Sequence, residues 1–163
     1  MRKKCKRKYY ALINPITHAM EGAAISSRDL LDQLLRREWM AVDNFATGAA
    51  TLDDWNTLCS MNNIAETLAA SGVGPEAMET CRAVESALIE AAERFQRIGR
   101  MGLTGPGLQA VRDCVEYHDL QRASIPRSQY EKAIALTSAR VKSGHVTVDL
   151  WSELGEPNKA VPA

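Results

Sequence analysis

Apolar residues recur every three or four positions along most of this chain, and no other sequence feature limits the possible fold as strongly. The spacing is most regular between residues 75 and 98. The positions that alternate the two spacings there are Cys81, Val84, Leu88, Ala91, Phe95 and Ile98. Such residues share one face of an α-helix, because the helix turns once every 3.6 residues. We expect this seam to pack inside a helical bundle, with a homodimer as the alternative.

Similar spacing, together with start and stop signals, predicts six helices. They run over residues 15–22, 28–47, 52–71, 75–98, 108–121 and 129–143. Thr51 with Asp54 and Ser128 with Glu131 have the spacing of a capping box, in which two side chains satisfy two backbone N–H groups at the helix start. Glycines at positions 48, 72 and 144 supply stops, because glycine tolerates the left-handed backbone that ends many helices.

The composition also favours helix over sheet. Phe, Trp and Tyr make up only 6% of the chain, and the one β-branched alternation, at residues 146–148, is too short to seed a sheet. A chain of 163 residues fits one domain with a sizeable core. We therefore expect an all-α, single-domain antiparallel bundle of five or six helices over residues 13–144. A basic N-terminal arm at residues 1–12 precedes it, and a loosely ordered C-terminal tail at residues 145–163 follows it.

The positive charges are unevenly distributed. The formal net charge is zero, yet residues 1–8 hold six Lys or Arg and no acid. Such an arm suits phosphates, an anionic membrane surface, an acidic protein patch or the acidic remainder of its own chain. Three arginines at every third position extend the basic surface. The residues predicted to contact nucleic acid or an acidic partner are Arg2, Lys3, Lys4, Lys6, Arg7, Lys8, Tyr9, Tyr10, Arg94, Arg97 and Arg100.

A glycine-rich turn over residues 102–107 precedes the fifth predicted helix. Free N–H groups at a helix N-terminus favour an anion, which makes Thr104, Gly105, Gly107 and Arg112 a candidate anion site. The turn lacks the Lys-Ser or Lys-Thr pair of a phosphate-binding loop, and no predicted strand precedes it. A tight interhelical turn is therefore the favoured interpretation.

The sequence contains no recognised catalytic, metal-binding or cofactor-binding motif. Cys114 and His118 lie one helical turn apart, but two ligands do not make a metal site. We expect His118 to be a half-buried, hydrogen-bonded helix residue and the four cysteines to be free, mostly buried thiols. The apolar run over residues 9–13 is too short for a signal peptide or a membrane span, which favours a cytoplasmic protein without membrane contact.

Three quoted segments together carry a resemblance. They are RKKCKRKYYALINPITHAMEGAA at residues 2–24, GRMGLTGPGLQAVRD at residues 99–113 and EYHDLQRASIPRSQYEKAI at residues 116–134. These segments resemble small uncharacterised proteins encoded by bacteriophages and by prophages of proteobacteria. The resemblance carries over no catalytic residue. It implies the setting of a phage accessory protein, and such proteins commonly act by binding.

These features favour a non-enzymatic accessory protein, without a cofactor, that binds and modulates a host or phage macromolecule, for example by inhibiting a host defence complex. The alternative is a DNA- or RNA-binding regulator whose arm contacts phosphates. A third hypothesis, a small-ligand or phosphate-binding enzyme, depends on the glycine turn. A deep cleft lined by hydrogen-bonded titratable groups would argue against the leading hypothesis.

Overall fold

The computed structural model describes residues 22, 24 and 26–143, which form five α-helices. These are α1 (Arg28–Thr47), α2 (Leu52–Ala70), α3 (Ala77–Ile98), α4 (Gly105–Ser124) and α5 (Arg127–Lys142). No strand occurs in this part of the chain, so the all-α prediction is confirmed. The predicted arm, the C-terminal tail and all but the last residue of the predicted helix at residues 15–22 lie outside the described residues. No helix in the described part is long and apolar enough to cross a membrane.

The first two helices begin and end as their sequences predict. The side chain of Ser27 caps α1, and Gly48 ends it with a φ of 76°, a left-handed conformation that glycine adopts without strain. At the start of α2 the Thr51 hydroxyl accepts the Asp54 N–H, while the Asp54 carboxylate accepts the Thr51 N–H. This reciprocal capping box satisfies two backbone donors that the helix itself leaves unpaired.

Helix α2 lies at the centre of the fold. It packs against α1, α3, α4 and α5, while α1 and α3 each also pack against α4. Helices α1 to α4 therefore enclose the main core, and α5 lies on the outside of α2. The largest fully buried apolar side chains in this core include Trp55, Leu58, Leu88, Val42, Val84, Val111 and Val115. A smaller cluster of Leu68, Ile125 and Ala133 attaches α5.

The predicted seam of α3 packs inside the bundle. Cys81, Val84, Leu88 and Ala91 are buried against α2 and α4, and Phe95 is half-buried. The seam ends there, because Ile98 is 52% exposed in the last turn. Helix α3 starts at Ala77, two residues after the proline that was predicted to lie in its first turn.

The predicted start of the last helix is wrong. Pro126, not Ser128, is the N-cap residue of α5, and no side chain caps the helix. Glu131 forms an ion pair with Arg127 at 2.8 Å instead of accepting a backbone N–H. The N–H of Arg127 donates to the carbonyl of Ala24, so a neighbouring chain segment provides a partner at this helix end.

Helix α4 is longer than predicted at both ends. Thr104 caps it and Pro106 lies in its first turn, so the helix begins within the glycine turn rather than after it. Its C-terminal end lies at Ser124 instead of residue 121. Gln121 and Arg122 are buried there, and the polar contacts of their side chains hold this extra turn against the bundle.

Candidate functional site: a cavity above a buried polar cluster

A cavity of about 280 Å³ opens between α1, α2 and α5, with α4 behind it. Its walls are mostly apolar, and polar side chains lie at its rim and on its floor. The lining residues are Leu34, Arg37, Glu38, Asp53, Asn56, Thr57, Ser60, Met61, Ile64, His118, Tyr130 and Ile134. Concave, largely apolar sites with a few converging polar groups are where proteins most often bind ligands and partner side chains. We therefore treat this cavity as the candidate functional site.

A buried ion pair lies beneath the cavity. Both terminal nitrogens of Arg122 on α4 donate to the Glu38 carboxylate on α1, each at 2.8 Å. The side chain of Arg122 is only 1% exposed and that of Glu38 is 9% exposed. Asp119 contributes a third contact, 3.3 Å from Arg122. Burial raises the pKa of the Glu38 carboxyl while the guanidinium opposes this effect, and the two-pronged geometry is that of an ionised pair.

Next to the ion pair, His118 joins α4 to α5. Its Nε2 lies 3.1 Å from the hydroxyl of Tyr130, and the side chain is fully buried. The prediction of a half-buried histidine is therefore wrong in extent, although the predicted hydrogen bond is present. Burial, reinforced by the Arg122 charge, lowers the pKa of His118 to about 3. The ring is neutral at physiological pH, because protonation would place a second cation beside Arg122.

The neutral ring has two possible tautomers, and the side chain of Gln121 is close enough to affect its pKa. The Gln121 amide donates to the carbonyls of Ala65 and Val73, at 3.2 and 2.8 Å, which directs its N–H group towards α2. Gln121 raises the pKa of His118 against the larger effect of burial, but the Gln121 oxygen and His118 Nδ1 have no hydrogen-bond partner within the described residues. The tautomer decides whether Nε2 donates to the Tyr130 hydroxyl or accepts from it.

The charge states of these groups decide what the cluster can do chemically. A general acid or base works best when its pKa lies near the working pH. The pKa of His118 is far below neutrality, burial raises the pKa of Tyr130, and the Glu38 carboxylate is engaged by Arg122. The cavity thus has the hydrogen-bonded titratable groups that would argue for catalysis, but His118 and Tyr130 both stay neutral near neutral pH, and the Glu38 carboxylate is bound by Arg122. That combination suits binding better than proton transfer.

A second cavity of about 210 Å³ lies between α2 and α5 and continues the first along α5. The two cavities share Ser60, Ile64 and Ile134. The further cavity reaches as far as Val141, near the end of α5. From Tyr130 to Val141 the groove follows α5 for eleven helical rises, a length of about 16 Å. We call the two cavities together the α2–α5 groove.

The predicted basic surface is only partly within the described residues. Residues 2–10 lie outside them, so the predicted contacts of the arm stay predictions. Arg94, Arg97 and Arg100 are all exposed; Arg97 lies in the last turn of α3, Arg94 one turn before it, and Arg100 just after the helix. The guanidinium of Arg94 lies next to Gly102, where an added Cβ would be 3.7 Å from it. None of these three arginines lines the α2–α5 groove.

The glycine turn has a packing role that its sequence did not reveal. A Cβ placed on Gly107 would lie 2.9 Å from the Cβ of Ala87, so glycine allows α4 to approach α3 closely. The Thr104 hydroxyl accepts the Gly107 N–H at 3.2 Å and so engages one donor that an anion would use. Arg112 is half-buried on α4, and Gly105 is exposed. These contacts account for the turn, while anion binding there stays a prediction.

Sequence reasoning missed Glu38, Arg122 and Tyr130 as site residues, yet two of them had a readable signal. Glu38 interrupts the apolar stripe of α1, which otherwise runs through Leu31, Leu35, Val42 and Phe45 at spacings of four and three. Arg122 occupies the same kind of position on α4, four residues after His118. Opposite charges on two buried stripes predict a buried pair, because an unpaired buried charge is very costly.

Cys114 and His118 do not form a metal site. The Cys114 sulfur contacts Met61 and Asn62, at 3.5 and 3.6 Å, whereas the His118 ring faces Tyr130. Across the described residues, no cluster of three or more His, Cys, Asp or Glu is placed to hold a metal ion. Comparisons with models of protein families, with curated proteins and with solved structures find no match to this chain.

Proposed function

We propose that this chain is an accessory interaction protein that binds a host or phage protein in the α2–α5 groove and thereby modulates it. The observation that carries the proposal is the groove itself, in which apolar walls surround a fixed polar floor. Ile134 remains 38% exposed at its centre, although buried apolar surface is what stabilises a small domain. Interfaces of this kind hold an anchoring side chain or a helix of the partner in such a groove.

The α2–α5 groove has the dimensions of a helix-binding site. Partner helices dock through side chains spaced three, four and seven residues apart, which spans about 10 Å. The two cavities lie in line over about 16 Å of α5, and Ile64 and Ile134 form the ridge between them. Two anchoring side chains from successive turns of one partner helix therefore fit the two cavities.

Site-specific photocrosslinking in bacterial cells tests the proposal. A photoreactive phenylalanine analogue replaces Ser60, which both cavities share, and in a separate variant it replaces Arg82, which is exposed on α3. We expect a discrete crosslinked protein from position 60 and none from position 82. Equal crosslinking from both positions would contradict a role for the groove.

A pair of substitutions on α5 provides the matched control. Ile134→Arg places a long charged side chain at the centre of the groove, whereas Leu136→Arg makes the same kind of change on another part of the helix. Leu136 is 53% exposed and lines neither cavity, so both variants should fold. We expect Ile134→Arg alone to abolish the crosslinked species.

A DNA- or RNA-binding regulator is the second candidate, favoured by the joint exposure of Arg94, Arg97 and Arg100. If the arm neutralises about six phosphates of duplex DNA, the log of the affinity should fall with the log of salt concentration at a slope of about −5. The measurement is fluorescence anisotropy with labelled DNA at several salt concentrations. A flat salt response, or unchanged binding after deletion of residues 2–8, excludes this role for the arm.

A further inference from the structure

We propose that the larger cavity of the α2–α5 groove, which lies above the Glu38–Arg122 ion pair, receives an arginine side chain of the partner protein. This inference rests on the proposed function and adds the chemistry of the anchor. It follows from three properties that occur together: the net negative charge of the cluster of Glu38, Arg122 and Asp119 beneath the cavity, the apolar walls, and the aromatic ring of Tyr130 at the side.

The charges around the cavity favour a cation. At the rim, Arg37 pairs with Asp53 at 3.5 Å and leaves no net charge. On the floor, the Glu38 carboxylate and the Arg122 guanidinium also balance one another, but Asp119 adds a second carboxylate 3.3 Å from the same arginine. His118 is neutral and supplies no compensating positive charge. Asp119 and Arg122 do not line the cavity, but together with Glu38 they form a cluster beneath it that carries one net negative charge. An entering cation is therefore attracted and an anion is repelled.

The walls fit the stem and the head of an arginine side chain. Leu34, Met61 and Ile64 offer apolar contacts to the methylene stem, as in other sites where long cationic side chains are partly buried. The half-buried Tyr130 also lines the cavity, and an aromatic ring is a favourable neighbour for a guanidinium. Arginine suits the site better than lysine, because a guanidinium is less strongly hydrated and presents a planar fork of donors to carboxylates.

Two small molecules of matched shape test the charge requirement directly. Butylguanidinium and butylurea have similar size and shape, but only the first is charged. We would titrate each into the 15N-labelled full chain at neutral pH and follow the backbone amide signals of the cavity-lining residues. We expect saturable shifts with butylguanidinium and at least about tenfold weaker binding of butylurea, as for the loss of one charge-assisted hydrogen bond.

A pair of conservative variants tests the location. Asp53→Asn removes a rim carboxylate and frees Arg37 to repel the ligand, whereas Asp43→Asn makes the same change at an exposed position of α1 outside the cavity. Butylguanidinium should bind several-fold more weakly to Asp53→Asn and with unchanged affinity to Asp43→Asn. Equal effects of the two variants would place the ligand elsewhere and overturn the proposal.

The two proposals fail in distinguishable ways. If butylurea binds as well as butylguanidinium, or if neither binds, the arginine anchor is wrong. The groove as an interaction site then still depends on the crosslinking experiment. If position 60 gives no specific crosslink while butylguanidinium binds selectively, the cavity recognises a cation but the proposed function is wrong.

Discussion

Substitution of Glu38 by glutamine tests whether the ion pair under the cavity is buried and complete. The variant keeps the shape of the side chain but replaces the carboxylate with a neutral amide, which accepts through only one oxygen. Arg122, whose side chain is 1% exposed, then retains its charge with only Asp119 as an acidic partner at 3.3 Å. In the folded state the buried Arg122 charge has lost its main carboxylate partner, whereas in the unfolded state it is fully hydrated. The substitution therefore lowers the free energy of unfolding.

Removal of one partner from a buried ion pair costs about 3 kcal/mol or more. For a domain of this size, that loss lowers the melting temperature by about 6 to 12 °C. The matched control is Glu131→Gln, because Glu131 pairs with Arg127 at the same distance of 2.8 Å but on the surface, where both side chains are about half exposed. Exposed pairs contribute less than about 1 kcal/mol, so this variant should unfold close to the wild type.

Urea unfolding followed by tryptophan fluorescence, to which the buried Trp55 contributes, measures both variants under the same conditions. A double variant, Glu38→Met with Arg122→Met, removes both charges and should recover most of the loss, because the desolvation of two ions disappears with the pair. If Glu38→Gln destabilises the protein no more than Glu131→Gln does, the pair is not buried as described and the electrostatic account of the cavity floor is wrong.

Three further perturbations have signs that follow from the structure. Gly107→Ala should lose about 1 to 3 kcal/mol of stability in urea unfolding, because its Cβ would overlap Ala87, whereas Gly105→Ala meets no neighbour within 4 Å and should not suffer this penalty. Thr51→Ala should lose about 1 kcal/mol by removing the cap of α2, and an unchanged unfolding midpoint would contradict the capping box. Since the pKa of His118 is about 3 in the folded state and 6.5 is its ordinary value, the unfolded chain binds the extra proton first as the pH falls. Stability should therefore decrease between about pH 6.5 and pH 3, by on the order of 1 kcal/mol per pH unit, and a His118→Gln variant should lack this part of the slope.

The helices could be predicted from sequence because their causes are local. The three-and-four spacing of α3 and the capping box at Thr51 each act within a few residues, and the structure confirms both. The start of α5 was predicted wrongly for the opposite reason. Ala24, which is distant in sequence, supplies the carbonyl that accepts the Arg127 N–H, so Ser128 is not needed as a cap. Local patterns cannot reveal a partner that tertiary packing brings to the helix end.

The cavity was harder to predict, because no single helix contains it. Glu38 and Arg122 are separated by 84 residues, and the hydrogen bond between them forms only when α1 and α4 pack side by side. The sequence does show that each residue interrupts an apolar stripe with a charge. What it does not show is which of several buried stripes face one another, and this pairing decides whether such a charge is satisfied.

The way in which α5 is held gives the polar contacts a functional meaning. Only Ala133 and Thr137 are buried on this helix, so apolar burial holds it more weakly than the four helices of the main core. Directional contacts set its position instead: Tyr130 bonds to His118, and the Thr137 hydroxyl lies 2.8 Å from that of Thr67. Because α5 forms one wall of the groove, the same contacts also fix the width of the cavity.

A Tyr130→Phe variant removes one of these contacts without removing the ring. The loss in free energy of butylguanidinium binding should therefore be larger than the loss in free energy of unfolding, which the shift of the unfolding midpoint measures. A midpoint that falls while the affinity stays constant would show that the hydroxyl stabilises the fold without shaping the site.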